Sequence, residues 1–436
     1  MAPHQQDVEH GSQAGTVSHS YHQQHRVFFD LFTGGSIQIE DAIFEYFVER
    51  MRSLIYTGGD CEYLPVLHTE FETGQTPFQR LFRLLCAILR IARATPATSI
   101  QRLRQRLTQD EVLLQTCSPA DVLLQENLLF SSIGWLTCLY LPSQHLDSET
   151  FRIENAGAKY PPRTSINIAK AQRPMDELLS AFGETVPLGR AAAQQAKNDP
   201  YSASVKFHVS CLNAATLRSI AKVKFIWVDT ISAHLDFDPT IPALYLFRSP
   251  SFCQLQATED SILALFLKDA YTSMDQLPGG ISVTDLMNEI ILSYNLIFRE
   301  ERSSRKLYRL RERNSASIKG QIGEPVSDPV LDRACGFHLP VSRLSFGEPY
   351  REIYHAESNF PILRERLLKL NLYVDGIQPN HVTSLWTDRR DMRLWYTFWA
   401  VLIIGGINVV QSFISIFLAA AQVGIAQRSF ELQQQQ

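Results

Sequence analysis

The sequence predicts a mainly α protein: a helical cytosolic body with a small β-sheet at about 203–255 and one C-terminal transmembrane helix. Three observations predict it. No charged residue occurs from Leu394 to Gln427, and the stretch from Phe398 to Ala421 reads FWAVLIIGGINVVQSFISIFLAAA. Apolar residues elsewhere recur mainly at spacings of three and four, the period of a helix with one buried face. The only convincing strand material, with period-two alternation, lies at residues 203–255.

Composition sets outer bounds. At 436 residues, 45% hydrophobic and 20% charged, the chain has ample material for one large or two smaller domains. The formal net charge of -4 supplies no global attraction to nucleic acid, and no nucleic-acid partner is expected. Seven cysteines, odd in number, widely spaced and without a C-x-x-C pair, predict reduced buried thiols in a cytosolic setting. The N-terminal residues lack a basic start followed by an apolar run, so no secretory signal peptide is expected.

Residues 1–25 are mostly Gln, His, Ser and Gly, which predicts a disordered tail. Its His4, His10, His19, His22 and His25 are irregularly spaced, as solvated side chains are, and form no metal-ligand pattern. Residues 26–142 read as a helical region. Between Glu40 and Ile55, Ile43, Phe44, Phe47, Met51 and Leu54 form an apolar face, with Glu45, Glu49 and Arg52 outside it. Phe78 to Ala94 repeats the pattern with Arg80, Arg83, Arg90 and Arg93 on the wet side. Ser118, followed by Pro119 at the first helical position and Asp121, starts a third helix. The run LLFSSIGWLTCLYL, Leu128 to Leu141, is too short to span a bilayer and is expected to be the buried centre of this region, a re-entrant membrane segment being the alternative. Residues 143–202, interrupted by Pro161, Pro162, Pro187 and Pro200, read as an irregular linker with one short helix from Pro174 to Phe182.

Residues 203–313 read as an α+β region. SVKFHVS, KVKFIWV (222–228) and ALYLFR (243–248) are expected to form one sheet. Between the last two lies DTISAHLDFDP. On a strand, His234, Asp236 and Asp238 project from one face while Leu235 and Phe237 turn to the core. One imidazole and two carboxylates can hold a divalent metal and activate water, with Asp229 as added ligand or base. This motivates one alternative function, a membrane-bound metal-dependent hydrolase. The simpler reading is a polar face ending at an Asp-Pro turn, with no cofactor. Ser282 and Asp285 form a capping-box pattern, and the helix they start continues through DLMNEIILSYNLIF. Its later turns place Arg302, Arg305, Lys306, Arg309 and Arg313 on one face, suited to an anionic membrane surface or simply to water.

Residues 314–357 read as loop, and residues 358–394 as juxtamembrane helices leading to an anchor at 395–425. The first of these helices is expected to be capped by Ser358 or Asn359 and to bury Ile362, Leu363, Leu367 and Leu370. The segment after Pro379 can run unbroken into the span. Trp386, Trp395, Tyr396 and Trp399 mark an interface, and Arg389, Arg390 and Arg393 precede the span against Arg428 alone beyond it. Lys and Arg collect on the cytosolic side, so the body is expected in the cytosol. Within the span, Gly405, Asn408, Ser412, Ser415, Ala419 and Gln422 recur at spacings of three and four. Such a seam of small and polar residues suits helix packing, through self-association or with a partner helix; a lone anchor is the alternative.

No phosphate-binding glycine loop, H-E-x-x-H, G-x-S-x-G or EF-hand pattern occurs. The residues therefore support a membrane-tethered, non-enzymatic interaction protein, in contact with the lipid bilayer and with a protein partner they do not specify. GWLTCLYLP (134–142), WVDTISAHLDFD (227–238), LFRSPSFC (246–253), SYNLIFREERSSRKLY (293–308) and LWTDRRDMRLWYTFWAVLIIGG (385–406) together resemble a filamentous-fungal family of proteins with one C-terminal transmembrane helix. The resemblance implies the anchor and carries over no activity, cofactor or functional residue.

Overall fold

The computed structural model describes residues 25–35, 40–56, 66–67, 77–95, 98–115, 118–143, 149–154, 157, 164–182, 205–272, 282–320, 323–338, 351–377 and 392–434. The chain falls into two units, Met1–Val374 and Asp375–Gln436. The first begins with α1 (residues 25–33), α2 (Asp41–Tyr56), α3 (Pro77–Ala94), α4 (Ile100–Gln109) and α5 (Pro119–Thr137). Phe28, Phe29 and Phe32 of α1 are buried against Phe47 of α2 and Phe82 of α3, with ring centroids 4.6–6.1 Å apart between helices. His25 is buried beside Phe44 and Phe82, so it belongs to this aromatic core and not to a solvated tail. The helices expected at 40–55 and 78–94 are present. Helix α4 was not expected, because IQRLRQRLTQ supplies only about one apolar residue per turn; Ile100, Leu103 and Leu107 are nevertheless buried, and Ser99 accepts the N–H of Arg102.

Helix α5 is apolar on all sides in its second half, and residues 125–137 are buried throughout. It ends at Cys138, left-handed at φ 51°, whose N–H returns to the Gly134 carbonyl. Gly134 is required by a close approach: a Cβ there would lie 2.8 Å from the Tyr140 ring. That ring stacks on Phe130 at 4.5 Å and its hydroxyl donates to the Phe130 carbonyl.

The region expected to be irregular supplies two strands of a three-stranded antiparallel sheet, β2 (Thr150–Glu154) and β3 (Ser165–Asn167), which follow β1 (Leu141–Pro142) from the end of the helical region in the order β1-β2-β3. Strand β2, TFRIE, does alternate and buries Phe151 and Ile153, a signal that sequence reasoning missed; β1 and β3, at two and three residues, are too short to show one. Helix α6 (Met175–Ser180) follows, within the expected 174–182. Next come β4 (Lys206–His208), α7 (Val209–Leu212), α8 (Ala214–Ser219), β5 (Lys224–Val228), β6 (Phe237–Asp238) and β7 (Ala243–Phe247). In the central sheet the order is β5-β7-β6, with β5 parallel to β7 and β6 antiparallel to it. Helices α9 (Pro250–Gln256), α10 (Ile262–Thr272), α11 (Val283–Tyr294) and α12 (Arg302–Leu307) succeed it, followed by α13 (Arg313–Ala316). Residues Asn295–Arg299 and Tyr308–Glu312 are π-helical turns flanking α12. The capping box of Ser282 and Asp285 forms as expected.

The stretch expected to be loop contains β8 (Ile318–Lys319), β9 (Pro325–Val326), α14 (Pro329–Ala334) and β10 (Ile353–His355), before α15 (Ala356–Asn359) and α16 (Arg364–Asp375). Strand β4 pairs with β10 and not with the central sheet. SVKFHVS predicts a strand that buries Phe207, but alternation specifies a face, not a neighbour. The helix expected from Phe360 starts instead at Arg364, and neither Ser358 nor Asn359 caps it: the Glu289 carboxylate of α11 accepts the N–H groups of Ile362 and Leu363.

The described residues of the second unit include a long helix, α17 (Met392–Gln434), of 43 residues. Within it Tyr396–Arg428 is long and apolar enough to cross a membrane, its most apolar 18-residue window reaching a mean hydropathy of 2.2. Its large apolar side chains from Val401 to Ile425 are exposed. The expectations for residues 1–24, for most of the linker and for residues 378–391, including Trp386, Arg389 and Arg390, lie outside the described residues.

Candidate functional site

The segment between β5 and β7 is not a continuous strand. Residues 232–235 turn, Leu235 is left-handed at φ 59°, and only Phe237–Asp238 is extended. Period-two alternation therefore does not apply to His234. The ring is fully buried, with Nε2 2.9 Å from Ser293 Oγ and Nδ1 accepting the Phe247 N–H at 3.2 Å. Because Nδ1 accepts, Nε2 carries the proton and donates to Ser293, which donates onward to the Ile290 carbonyl at 2.7 Å. Burial, with Arg366 nearby, pushes the imidazole pKa down to about 3. This is a neutral core histidine.

Asp238 instead stays at the turn, where Oδ1 accepts the N–H and hydroxyl of Thr240. Those bonds hold its carboxyl below the usual range. Asp236 is half-buried, and Asp229 pairs with Arg50 at 3.3 Å. Among the described residues, no three His, Cys, Asp or Glu side chains are grouped to hold a metal. The expected His234, Asp236 and Asp238 set is thereby corrected: the turn sends the imidazole inward and leaves Asp238 outside.

Sequence reasoning missed the cluster around Arg50, which is 1% exposed. Its guanidinium donates to the Asp229 carboxylate, to the Asp229 carbonyl at 3.1 Å and to Ser249 Oγ, and lies 5.2 Å from the Phe247 ring centre. Tyr46 shares Ser249 at 2.8 Å, and Arg248 approaches Asp229 at 3.3 Å. The cluster joins α2 to the C-terminal ends of the parallel strands β5 and β7. A usable signal existed: Arg50 follows Phe47 by three and precedes Leu54 by four, on the apolar face of α2.

The five cations expected on one face are divided by the structure. Arg305 is 4% exposed, and its Nη1 donates to the Arg299 and Glu300 carbonyls. Arg313 makes a fork to Asp332, with Nε to Oδ1 at 3.0 Å and Nη2 to Oδ2 at 2.9 Å, and covers the Phe337 ring at 4.2 Å. Arg309 is half-buried and donates to the Gly336 carbonyl. Only Arg302 and Lys306 are exposed. The uniform five-residue face is corrected, because each π turn rotates the following residues off the 3.6-residue period, and α14 brings a buried carboxylate to Arg313.

Beside α12 opens a groove of about 370 Å³, lined by α8, α12 and the second π turn. Arg218 donates to Glu312 Oε1 at 2.6 Å, and Glu312 Oε2 accepts the Trp227 indole N–H at 3.2 Å. Lys306 and Arg311 stand exposed at the rim, with Leu310 67% exposed between them.

In α17 no turn breaks the helix, so Gly405, Asn408, Ser412, Ser415 and Ala419 fall along one side. The Ser412 hydroxyl donates to the Asn408 carbonyl and that of Ser415 to the Gln411 carbonyl, both at 2.9 Å. A Cβ at Gly405 would meet nothing within 4 Å.

The arrangement defines a class: a mostly helical body with small sheets, in a chain carrying one candidate membrane-spanning helix. Comparison with family models, with curated proteins and with solved structures finds no match.

Proposed function

We propose that this chain is a single-pass membrane protein whose non-enzymatic body is held at the cytosolic face as an interaction module. The observation that carries the reading is α17, with its exposed, uncharged stretch long and apolar enough to cross a membrane. A helix of that composition is stable in hydrocarbon, where its backbone is satisfied internally and its side chains need no water. The direction rests on Arg389, Arg390 and Arg393 before the span against Arg428 after it.

The test uses the full chain expressed in cells. It should stay with membranes in alkaline carbonate, and protease added to intact microsomes should digest the body. A glycosylation sequon added after Gln436 should be modified only where that end enters the lumen. Release by carbonate overturns the tether, whereas a body protected from protease overturns its direction alone.

A further inference from the structure

We propose that the groove between α8 and α12 docks the body onto an anionic lipid surface, with Lys306 and Arg311 taking lipid phosphates and Leu310 entering the acyl boundary. The inference rests on the tethered reading above and assigns the surface that meets the membrane. Three observations support it. Lys306 and Arg311 are exposed, neither is in a salt bridge among the described residues, and Arg302, also exposed, precedes Lys306 by one turn on the same side. Leu310 is the most exposed large apolar side chain of the described part of the body, at 67% against 63% for Leu372 and 55% for Ile241. Its position follows from the π turn Tyr308–Glu312, which projects Leu310 outward while burying Tyr308 and Glu312 on either side.

Chemistry favours a lipid surface over an acidic protein. A lone leucine amid cations offers little apolar area for a protein interface, but it matches a bilayer boundary, where phosphates lie directly above hydrocarbon. Glu312, behind the groove, is buried with both carboxylate oxygens engaged by Arg218 and Trp227; Arg311 is near enough to favour its charge but forms no salt bridge with it among the described residues. The sequence-level face of five cations is thus replaced by a smaller set that includes Arg311 and Leu310.

The experiment places the full chain in nanodiscs of phosphatidylcholine, alone or with about 30 mol% phosphatidylserine, and reads amide hydrogen exchange. Co-elution with the discs establishes the tether before docking is read. Exchange at residues 302–312 and 214–219 should be slower in anionic discs than in neutral ones. Each cation near such a surface contributes about fivefold to the docked population, so K306Q/R311Q should lower it about 25-fold. L310E should abolish the protection while leaving exchange in α11 unchanged, since the side chain is exposed and not part of the core. Equal exchange in neutral and anionic discs overturns the docking while leaving the tether intact. Protection by inorganic phosphate added to neutral discs, matching that in anionic ones, overturns it in favour of a soluble anion. Failure to co-elute removes the tether and the docking with it.

Discussion

Glu289 and His234 are both buried, and burial shifts them in opposite chemical senses because it disfavours whichever form is charged. Glu289 is pushed up to about 8 by burial, against the bonds from Leu363 and Ile362 that favour the carboxylate; Asp285, on the same helix, adds to the rise. His234 is pushed down to about 3. The signs follow from linkage. The folded state keeps the Glu289 proton that the unfolded chain releases near 4.5, so this stabilisation is present at low pH and is lost as pH rises through 8. His234 acts oppositely, its neutral burial losing stability as pH falls from 6.5 toward 3. Asp328, pushed up to about 6, has completed its change by the upper part of this range. Between about pH 6.5 and 8 Glu289 is thus the one of these three still titrating, and stability should fall by on the order of 2 kcal/mol. Denaturant titrations of the full chain in neutral detergent, at steps across that window, measure the slope. Glu289→Gln should flatten it, since the amide oxygen still accepts from Ile362 and Leu363 without titrating. A slope unchanged by that substitution would assign the titration elsewhere.

Among the elements, the longer helices α2, α3, α5 and α11 were legible because each carries its own evidence in spacing and caps, whereas α4 and α14 were not. Ser282 and Asp285 announced α11, and the apolar faces of α2 and α3 announced theirs. What was not legible depends on residues distant in sequence. The parallel pairing of β5 with β7 is one case. The Glu289 cap at the N-terminal side of α16 is another, seventy-odd positions from the N–H groups it takes. Asp328 shows the same physics at a joint. Its Oδ1 accepts from Val330, Leu331 and the Ser251 hydroxyl, and Oδ2 from the Ser251 N–H, so one carboxylate serves the starts of both α9 and α14. Ser251 is fully buried, and water cannot replace the lost acceptor there. Asp328→Ala should therefore destabilise the body by on the order of 3 kcal/mol, and Asp328→Asn by less, because one oxygen still accepts. Urea midpoints of the two variants against the parent check this. A loss below about 1 kcal/mol for the alanine variant would mean that the two helices hold their places without the bridge.

At the scale of the whole chain, the candidate site read from sequence and the one read from structure overlap only in part. His234 was chosen for its neighbours in sequence, and a single left-handed residue, Leu235, removes it to the core. Lys306 kept its place on the surface, where no acid among the described residues pairs with it. The long helix is a different case, since its chemistry lies in a local stretch that no tertiary contact is needed to interpret. Its seam can be sharpened by the hydrogen bonds within it. The hydroxyls of Ser412 and Ser415 already donate to carbonyls one turn back, so neither has a proton to offer a second helix without breaking an existing bond. In the first half of the seam, the amide of Asn408 and the open backbone at Gly405 remain able to hold a neighbouring span. Asn408→Leu should weaken self-association of the full chain in membranes by about 0.5–2 kcal/mol, whereas Ser412→Ala should change it little. Energy transfer between labelled copies in bilayers reads the difference, with Phe413→Leu, off the seam, as the control. If Asn408→Leu weakens association no more than Phe413→Leu does, packing is not through this face, and the polar residues are ones that a lone helix tolerates. If Ser412→Ala weakens it as much as Asn408→Leu, the serine must give up its internal bond on association, and close approach extends a full turn beyond Asn408.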